Sequence, residues 1–259
     1  MDLGIAGRRA IVCASSSGLG FACAAALAAE GVDVVINGRD SARLTEAVAR
    51  LGTTAAGRVD GVAGDLLDPT TYDRLLDVCP EPDIVVTNNA GPKPGRLRDA
   101  TPADWTRGIE GNFLNHLRLI DRVIDGMRAR GFGRIVNITS AMVTTPRPEM
   151  AVSSGVRSAL TAVVKALSIE AAPDNVTINN LLPERIDSGR QIQMANIAVE
   201  QEGITFEEAR RRQADSIAAK RHGRPEELGA ACAFLCSAHA GFISGQNLHL
   251  DGGSYPALV

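Results

Sequence analysis

Seven short apolar runs alternate with longer helical stretches along this 259-residue chain, and this alternation constrains the fold more than any other feature. Most of the runs are continuously apolar, as parallel strands are when helices cover both faces of their sheet. We therefore predict an α/β fold with right-handed crossovers, in which a doubly wound, mostly parallel seven-stranded sheet carries helices on both faces. The predicted strands are Ala10–Cys13, Val32–Asn37, Val59–Ala63, Ile84–Asn88, Arg134–Thr139, Val176–Leu182 and Asn247–Leu250. The predicted helices are Leu19–Ala29, Ser41–Ala49, Thr70–Val78, Ala103–Arg130, Ser153–Ala171 and Pro225–Ser237.

The alternation contains no linker, low-complexity tract or internal repeat, so residues 1–259 are expected to form a single domain. One segment, Glu184–Arg224, interrupts the alternation of strands and helices between the sixth strand and the last helix. This segment holds a predicted helix around Glu200–Ala219 and lies beyond the carboxyl end of a strand, where open α/β sheets bind ligands. We predict that it forms a substrate lid. Its arginine run at 210–212 could bind an anion, but two glutamates one turn earlier favour a solvated, ion-paired helix face.

Composition and charge indicate a soluble protein that binds neither nucleic acid nor membranes. Apolar residues make up 45% of the chain and the net charge is −3, so no basic surface for nucleic acid or anionic lipid is expected. The five cysteines show no metal-binding spacing, which predicts no metal site and a reducing, cytoplasmic location. We find no signal-peptide pattern and no stretch approaching the ~18 apolar residues of a membrane span.

The first predicted strand is followed by a glycine-containing turn, Cys13-Ala14-Ser15-Ser16-Ser17-Gly18-Leu19-Gly20, and then by an alanine-rich helix. Gly18 and Gly20 let the backbone approach a pyrophosphate. The unpaired N–H groups of the helix N-terminus stabilise the charge of that pyrophosphate. The alternative is that the two glycines only allow a tight turn and bind no cofactor. The location in the first strand–helix unit favours a dinucleotide site, with Ser15 and Ser16 as additional hydroxyl donors.

Further motifs follow in order: Gly64-Asp65-Leu66, Asn88-Asn89-Ala90-Gly91, Glu110-Gly111-Asn112, GRIVNITS at 133–140, and a stretch from Gly223-Arg224-Pro225 to Asp251-Gly252-Gly253. Together they resemble the short-chain dehydrogenase/reductase family over nearly the whole chain. The resemblance implies a Rossmann-type fold and a nicotinamide dinucleotide cofactor. The family's phosphate turn reads TGxxxGxG, so Ala14 replaces a glycine, and its methyl group is expected to weaken cofactor binding without abolishing it. The cofactor contacts that the resemblance implies come from the turn (Ala14, Ser15, Ser16, Gly18, Leu19, Gly20) and from Asp65, Leu66, Asn89, Ala90, Gly91, Pro183 and Ile186.

The end of the second strand, Asn37-Gly38-Arg39, indicates which cofactor is bound. An NAD site would place a carboxylate here to accept a hydrogen bond from the ribose 2′-hydroxyl, and neither Asn37 nor Gly38 provides one. Arg39 instead offers a permanently charged guanidinium suited to a 2′-phosphate. The alternative is a solvated turn residue neutralised by Asp40. We expect NADP(H), with NAD(H) as the weaker cofactor.

The family's catalytic set consists of a serine, a tyrosine, a lysine and an asparagine, and the resemblance assigns Ser140 and Asn112 to the serine and asparagine. The tyrosine should follow Ser140 by about a dozen residues in a YxxxK motif, but the window reads AMVTTPRPEMAVSSGVR and has no tyrosine. Aligning Arg157-Ser158-Ala159-Leu160 with the family's K-A-x-L places Ser153 at the tyrosine position and Arg157 at the lysine position. Because a serine hydroxyl is far less acidic than a phenol and arginine keeps its proton, the family's route of proton donation is lost. Arg157 could still donate hydrogen bonds to the nicotinamide ribose.

The family's proline–glycine after the sixth strand reads Pro183-Glu184 here, which places a carboxyl group near the expected nicotinamide pocket. We favour a structural ion pair between Glu184 and Arg157 over a displaced catalytic acid whose pKa burial has raised. His116 lies one helical turn after Asn112 and could join a water path, although a packed or surface role is favoured.

Three functions are compatible with these motifs. We favour an NADP(H)-dependent oxidoreductase whose substrate needs little acid assistance, such as an iminium, a conjugated C=C or a carbonyl protonated through a water relay. The alternatives are a non-redox enzyme on the same fold, and a cofactor-binding sensor or inactive partner subunit. The lid residues predict a partly apolar small-molecule substrate. Helices Ala103–Arg130 and Ser153–Ala171 resemble the pair that this family packs across a two-fold interface, which implies a homo-oligomer, expected to be a tetramer.

Overall fold

All seven strands of the described residues, 2–258 of a computed structural model, join one parallel sheet. The strand order is β3-β2-β1-β4-β5-β6-β7, so the order reverses between β1 and β4, where open α/β sheets have their ligand crevice. The strands are β1 (Arg9–Val12), β2 (Asp33–Gly38), β3 (Val59–Ala63), β4 (Ile84–Thr87), β5 (Gly133–Ile138), β6 (Val176–Pro183) and β7 (Asn247–Leu250). The predicted parallel, doubly wound sheet is therefore confirmed, with strand ends within one residue of those expected.

Helices cover both faces of the sheet because successive strand side chains point to opposite sides. In β1, Ala10 and Val12 join the core cluster on one face, and Ile11 joins the cluster on the other. The helices are α1 (Gly18–Ala29), α2 (Ser41–Gly52), α3 (Thr70–Val78), α4 (Pro102–Ile109), α5 (Asn115–Ala129), α6 (Ala151–Ala171), α7 (Gly189–Glu202), α8 (Phe206–Asp215) and α9 (Pro225–Cys236). Helices α1, α2 and α9 pack on the first face, and α3, α5 and α6 pack on the second.

Two predicted helices are divided in the structure. The stretch Ala103–Arg130 is not one α-helix, because a π-helical turn at Glu110–Leu114 separates α4 from α5. The extra residue in a π-turn changes which side chains face the sheet, and such turns are frequent at functional sites. In the predicted lid, the single helix expected around Glu200–Ala219 is replaced by α7 and α8. The break follows from Gly203, whose left-handed φ of 67° ends α7.

Helix α6 differs from the expectation that no stretch of the chain approaches the length of an apolar membrane span. Within the described part of the chain, it is the one helix long and apolar enough to span a bilayer by length and composition. Its Leu160 and Val164 are buried against the sheet, so the inner face of α6 is that of a core helix.

Candidate active site

The turn between β1 and α1 has the shape required to hold a phosphate group. A Cβ atom on Gly20 would lie 2.6 Å from the Ala14 carbonyl oxygen, so only glycine fits there. Gly18 has a φ of +61°, and a Cβ atom on it would meet nothing within 4 Å. Ser17 caps α1 without a side-chain hydrogen bond, and the first turn carries no acidic residue. The N–H groups at this helix N-terminus are therefore available to an anion.

Ala14, at the family's glycine position, adopts the left-handed conformation that glycine favours, with a φ of 43°. Its N–H donates to Asn37 Oδ1 at 3.3 Å, and its carbonyl accepts from Asn88 Nδ2 at 3.2 Å. An L-residue in this conformation costs about 1–2 kcal/mol. The two asparagines hold the turn in shape despite that cost.

Ser15 does not have the role expected from the sequence. Its hydroxyl is fully buried, donates to the Val12 carbonyl at 2.6 Å and accepts from the Asn37 N–H at 3.0 Å. It therefore joins β1 to β2 and is not available as a hydroxyl donor to a phosphate. Ser16 lies at the edge of the site instead, because a Cβ atom on Gly38 would be only 2.8 Å from the Ser16 side chain.

Arg39, at the end of β2, points into solvent with 73% of its side chain exposed. Its nearest carboxylate partner is Asp65 Oδ2 at 3.9 Å. The alternative partner, Asp40, caps α2 by accepting from the Arg43 N–H at 3.0 Å. Arg39 and Asp65 thus lie close together just after β2 and β3, and Leu66, which follows Asp65, is buried.

The motif after β4 is tied to the π-helical turn. Asn89 Nδ2 donates to the Gly111 carbonyl at 2.8 Å, and Asn89 Oδ1 accepts from the Ala90 N–H at 2.9 Å. Asn112 Nδ2 donates to the Ala90 carbonyl at 3.2 Å. The other amide atom, Asn112 Oδ1, is buried without a hydrogen-bond partner in residues 2–258. A buried acceptor of this kind is costly unless a ligand or water satisfies it.

The end of β5 and helix α6 bring Ser140, Ser153 and Arg157 to the same region. Arg157 Nη1 donates to the carbonyls of Ile138 at 3.0 Å and Thr139 at 2.9 Å, the two residues before Ser140. Ser153 precedes Arg157 by four residues on α6, so the two side chains share one helix face. Ser140 Oγ accepts from the Met142 N–H at 3.2 Å, which leaves its hydroxyl hydrogen free to donate.

Among residues 2–258, no carboxylate pairs with the buried Arg157 guanidinium. Burial, together with the charge of Arg190, lowers its pKa to about 10. Its Nε is buried with no hydrogen-bond partner among the described residues, and its Nη2 would lie 3.5 Å from a Cβ atom on Gly91. The guanidinium therefore spans from the end of β5 to the motif after β4.

The predicted ion pair between Arg157 and Glu184 is wrong. Glu184 Oε1 instead contacts Arg147 Nη2 at 3.2 Å and Arg185 Nε at 3.3 Å. Arg157 is held by strand carbonyls, whereas Glu184 has turned towards the loop after β5. Of the neighbouring positions predicted to contact a cofactor, Pro183 ends β6, and Ile186 is buried in the core.

His116 is part of a buried chain of polar side chains. Thr87 Oγ1 donates to Asn137 Oδ1 at 2.6 Å, and the same oxygen lies 2.6 Å from His116 Nδ1. Because the single hydroxyl hydrogen of Thr87 goes to Asn137, His116 Nδ1 must carry a hydrogen and donate it. Burial, with a contribution from the charge of Arg157, lowers the pKa of His116 to about 3, so the ring is neutral. These contacts support the packed role that the sequence favours.

The arginine run in the lid is ion-paired, as expected. Arg210 contacts Asp187 at 2.7 Å, Arg211 contacts Glu208 at 2.7 Å, and Arg212 contacts Glu202 at 2.8 Å. The carboxylates neutralise the run, and Arg211 and Arg212 are exposed to solvent whereas Arg210 is largely buried.

Comparisons with known proteins agree with this architecture. A family model described as Enoyl-(Acyl carrier protein) reductase matches residues 13–255. The chain is 31% identical to the NADPH-dependent reductase BacG of Bacillus subtilis, over 97% of this chain and 99% of that protein. It is 30% identical to Dehydrogenase/reductase SDR family member 4 of Homo sapiens, over 96% of this chain and 88% of that protein. The structure of L-sorbose reductase from Gluconobacter frateurii, complexed with NADPH and L-sorbose, matches with a TM-score of 0.94 at 30% identity and covers 100% of both chains. The chain therefore belongs to the short-chain dehydrogenase/reductase family.

Proposed function

We propose that this protein is an NADP(H)-dependent oxidoreductase acting on a small molecule. The observation that carries the proposal is the pairing of an open phosphate-binding turn with an exposed arginine, in place of a carboxylate, at the end of β2. The relatives support it, because BacG is named an NADPH-dependent reductase and L-sorbose reductase is complexed with NADPH.

The side chains present fit this cofactor. The N-terminus of α1 would bind the pyrophosphate, with Gly18 and Gly20 allowing the backbone to approach. Arg39 and Ser16 would hold the 2′-phosphate, and the motif at Asn89-Ala90-Gly91 would line the ribose. The orphaned Nε of Arg157 and Oδ1 of Asn112 are the kind of buried atoms that a bound group or an ordered water satisfies.

NADPH supplies a hydride when it is bound, so the chain's own residues must orient the acceptor and manage a proton. The Ser140 hydroxyl has its hydrogen free to polarise a substrate oxygen. Neither Ser153 nor Arg157 is a good acid near neutral pH, since even the lowered pKa of Arg157 is about 10. We therefore propose a substrate that needs little acid assistance, such as an iminium or a conjugated C=C, or a carbonyl that takes its proton from water.

The segment 184–224 would act as the substrate lid. Arg190 Nη2, at the start of α7, donates to the Pro92 carbonyl at 2.9 Å and so joins this segment to the loop after β4. Isoleucines and a methionine along α7 would give the bound substrate a partly apolar surface.

We further propose that residues 1–259 act as one domain and that the protein is a cytoplasmic homotetramer. The five cysteines are buried and unpaired, which suits a reducing compartment. The outer face of α6 is unusually apolar for a surface helix, as the exposed positions Ala159, Ala162, Val163, Ala166 and Ile169 show. A second copy packed there would cover this face.

Titration of the purified protein with NADPH and NADH, followed by a panel of iminium, enone and ketone compounds, tests the proposed function. We expect tighter binding of NADPH and consumption of NADPH with at least one activated compound. Binding of neither cofactor would contradict the proposal. Tight NADPH binding without consumption across the panel would instead favour the cofactor-binding sensor.

A further inference from the structure

A cavity of about 610 Å³ lies between the loop after β4, the loop after β5 and the first turn of α6. Its volume is in the range of small-molecule binding pockets. The lining includes three arginines, Arg96, Arg98 and Arg147, together with the apolar Leu97 and Pro146.

The walls of this cavity are tied together by backbone hydrogen bonds. The Gly95 N–H donates to the Glu149 carbonyl at 2.8 Å, and the Ala151 N–H donates to the Gly95 carbonyl at 3.3 Å. These bonds join the loop after β4 to the loop after β5. A site whose walls are held in this way loses little conformational entropy when a ligand binds.

The charges in the cavity are not balanced. Arg96 and Arg98 are exposed, and neither forms an ion pair within residues 2–258. Arg147 contacts Glu184, which lies outside the lining. The arginines of α8 are all paired with carboxylates, and in this the cavity differs from that arginine-rich helix. Unpaired like charges facing one cavity repel each other, and an anion there would relieve that repulsion.

A second observation points to a polar ligand. Ser154 also lines the cavity, and its Oγ is buried without a hydrogen-bond partner among the described residues. Ser154 directly follows Ser153, and Arg147 contacts Glu184 at the end of β6. The cavity therefore adjoins the candidate active site.

We propose that this cavity binds the anionic end of the substrate, so that the enzyme acts on small compounds carrying a carboxylate or a phosphate on an apolar skeleton. The proposal rests on the reductase function proposed above. Guanidinium groups bind carboxylate and phosphate oxygens through paired hydrogen bonds. The apolar skeleton would pack against Leu97 and Pro146, and Ser154 would donate to the bound group.

Calorimetric titration of the full chain, with NADP⁺ saturating so that the 2′-phosphate site is filled, tests the binding step. The probes are hexanoate, hexyl phosphate and the neutral hexanamide. We expect the anions to bind at least ~10-fold more tightly than the amide, and the double variant Arg96→Gln/Arg98→Gln to lose most of that difference. The matched double variant Arg9→Gln/Arg58→Gln removes the same charge near the amino-terminal ends of β1 and β3, and it should bind as the wild type does. Equal binding of anions and amide, no binding of either anion, or unchanged binding by the cavity variant would overturn the proposal.

Turnover separates this inference from the proposed function. The substrate pair is the enone 6-oxohept-4-enoate, whose conjugated C=C needs little acid assistance, and its methyl ester, assayed by NADPH consumption. We expect a higher kcat/KM for the acid, and a rise in KM for the acid but not for the ester in Arg96→Gln/Arg98→Gln. Equal kcat/KM for acid and ester would overturn the anion site and leave the reductase intact. Consumption with neither compound would count against the proposed enone reduction and not against the anion site, which the titration then decides.

Discussion

Arg157 is the residue whose identity most changes the expected chemistry. It occupies the position that the family resemblance gives to a lysine, and its guanidinium is buried against two strand carbonyls. Burial lowers the pKa of this guanidinium, but only to about 10. Ser153, one turn earlier, has a hydroxyl in place of a phenol. A proton donor is effective when its pKa is near the working pH, and neither group meets that condition.

Restoring the family's tyrosine and lysine at positions 153 and 157 tests this assignment. We predict that Ser153→Tyr/Arg157→Lys gains activity on ordinary ketones, by up to the ~10²–10⁴-fold that general acid catalysis contributes. Either single variant should gain little, because the phenol needs the nearby ammonium to lower its pKa. The measurement is kcat/KM with NADPH, accompanied by thermal unfolding to show that each variant folds.

Two results would contradict the prediction. A wild-type protein that already reduces simple ketones at the ordinary ~1–10³ s⁻¹ of enzymes would mean that another group supplies the proton. A folded double variant without any gain would mean that residue 153 does not face the substrate.

Arg39 carries the predicted cofactor preference. Replacing it by alanine should remove most of the preference for NADPH over NADH, because a charge-assisted contact to the 2′-phosphate contributes about 1.5–3 kcal/mol. Dissociation constants for both cofactors measure the effect. Arg58→Ala, which removes an arginine paired with Asp60 near the start of β3, should leave both constants unchanged. Equal affinities of the unmutated protein for the two cofactors would refute the assignment.

At the scale of elements, a chain of polar side chains crosses four strands inside the sheet. From Thr87 in β4 it continues through Asn137 in β5 and Asn180 in β6 to Asn247 in β7, with successive hydrogen bonds of 2.6, 3.0 and 2.9 Å. His116 of α5 joins the chain at Thr87. Thr87, Asn137 and Asn180 are buried, whereas Asn247 is exposed at the end of the chain of side chains. Each buried group is costly alone and stable only with its partner, so these bonds favour one register of the strands.

The buried His116 predicts how stability depends on pH. Its pKa is lowered from 6.5 to about 3 in the folded protein, so between these values the unfolded chain binds a proton that the folded chain does not. The free energy of unfolding should therefore fall as the pH drops below about 6.5, by about 2 kcal/mol at about pH 5 from this residue.

Urea denaturation at about pH 7.5 and about pH 5 measures this contribution. The variant His116→Gln should show a smaller fall between the two pH values than the wild type, by about that amount. His239→Gln, which removes an exposed histidine, should behave as the wild type does. An equal fall in all three proteins would show that His116 does not titrate on unfolding.

For the whole molecule, the exposed side of α6 is the surface most suited to a second copy. Leu117 of α5 and Leu167 of α6 pack partly buried against the core and add little to this surface. Val163 remains 42% exposed and Ile169 remains 68% exposed. The outer positions of α5 are mostly polar, so α6 carries most of the apolar area.

We predict a tetramer in light scattering at micromolar concentration, and a smaller species for Val163→Glu. A buried, unpaired carboxylate at an interface is strongly unfavourable, which is the physical reason for the expected dissociation. Phe206→Glu changes an exposed apolar residue of α8 and should leave the assembly unchanged. A monomeric wild type, or a Val163→Glu variant of unchanged mass, would contradict the assignment of this interface.

Periodicity and short motifs in the sequence alone determined the sheet, the position of the phosphate turn and the family. Continuous apolar runs identify buried parallel strands because both faces of each strand must be covered, and the glycines of the turn are required by the local backbone. The position of Arg39 at the end of β2 was predictable for the same reason, since it lies in a short motif directly after a strand.

Only the tertiary structure decided how side chains distant in sequence pair with each other. Glu184 contacts Arg147 and not Arg157, because Arg157 finds strand carbonyls that no sequence pattern marks. Ser15 turns into the sheet because the backbones of β1 and β2 there need a hydroxyl partner. The arginine-lined cavity forms because backbone hydrogen bonds join two loops about fifty residues apart in sequence. Such contacts depend on the packed geometry of the whole sheet, whereas the strands and turns depend on residues close together in the chain.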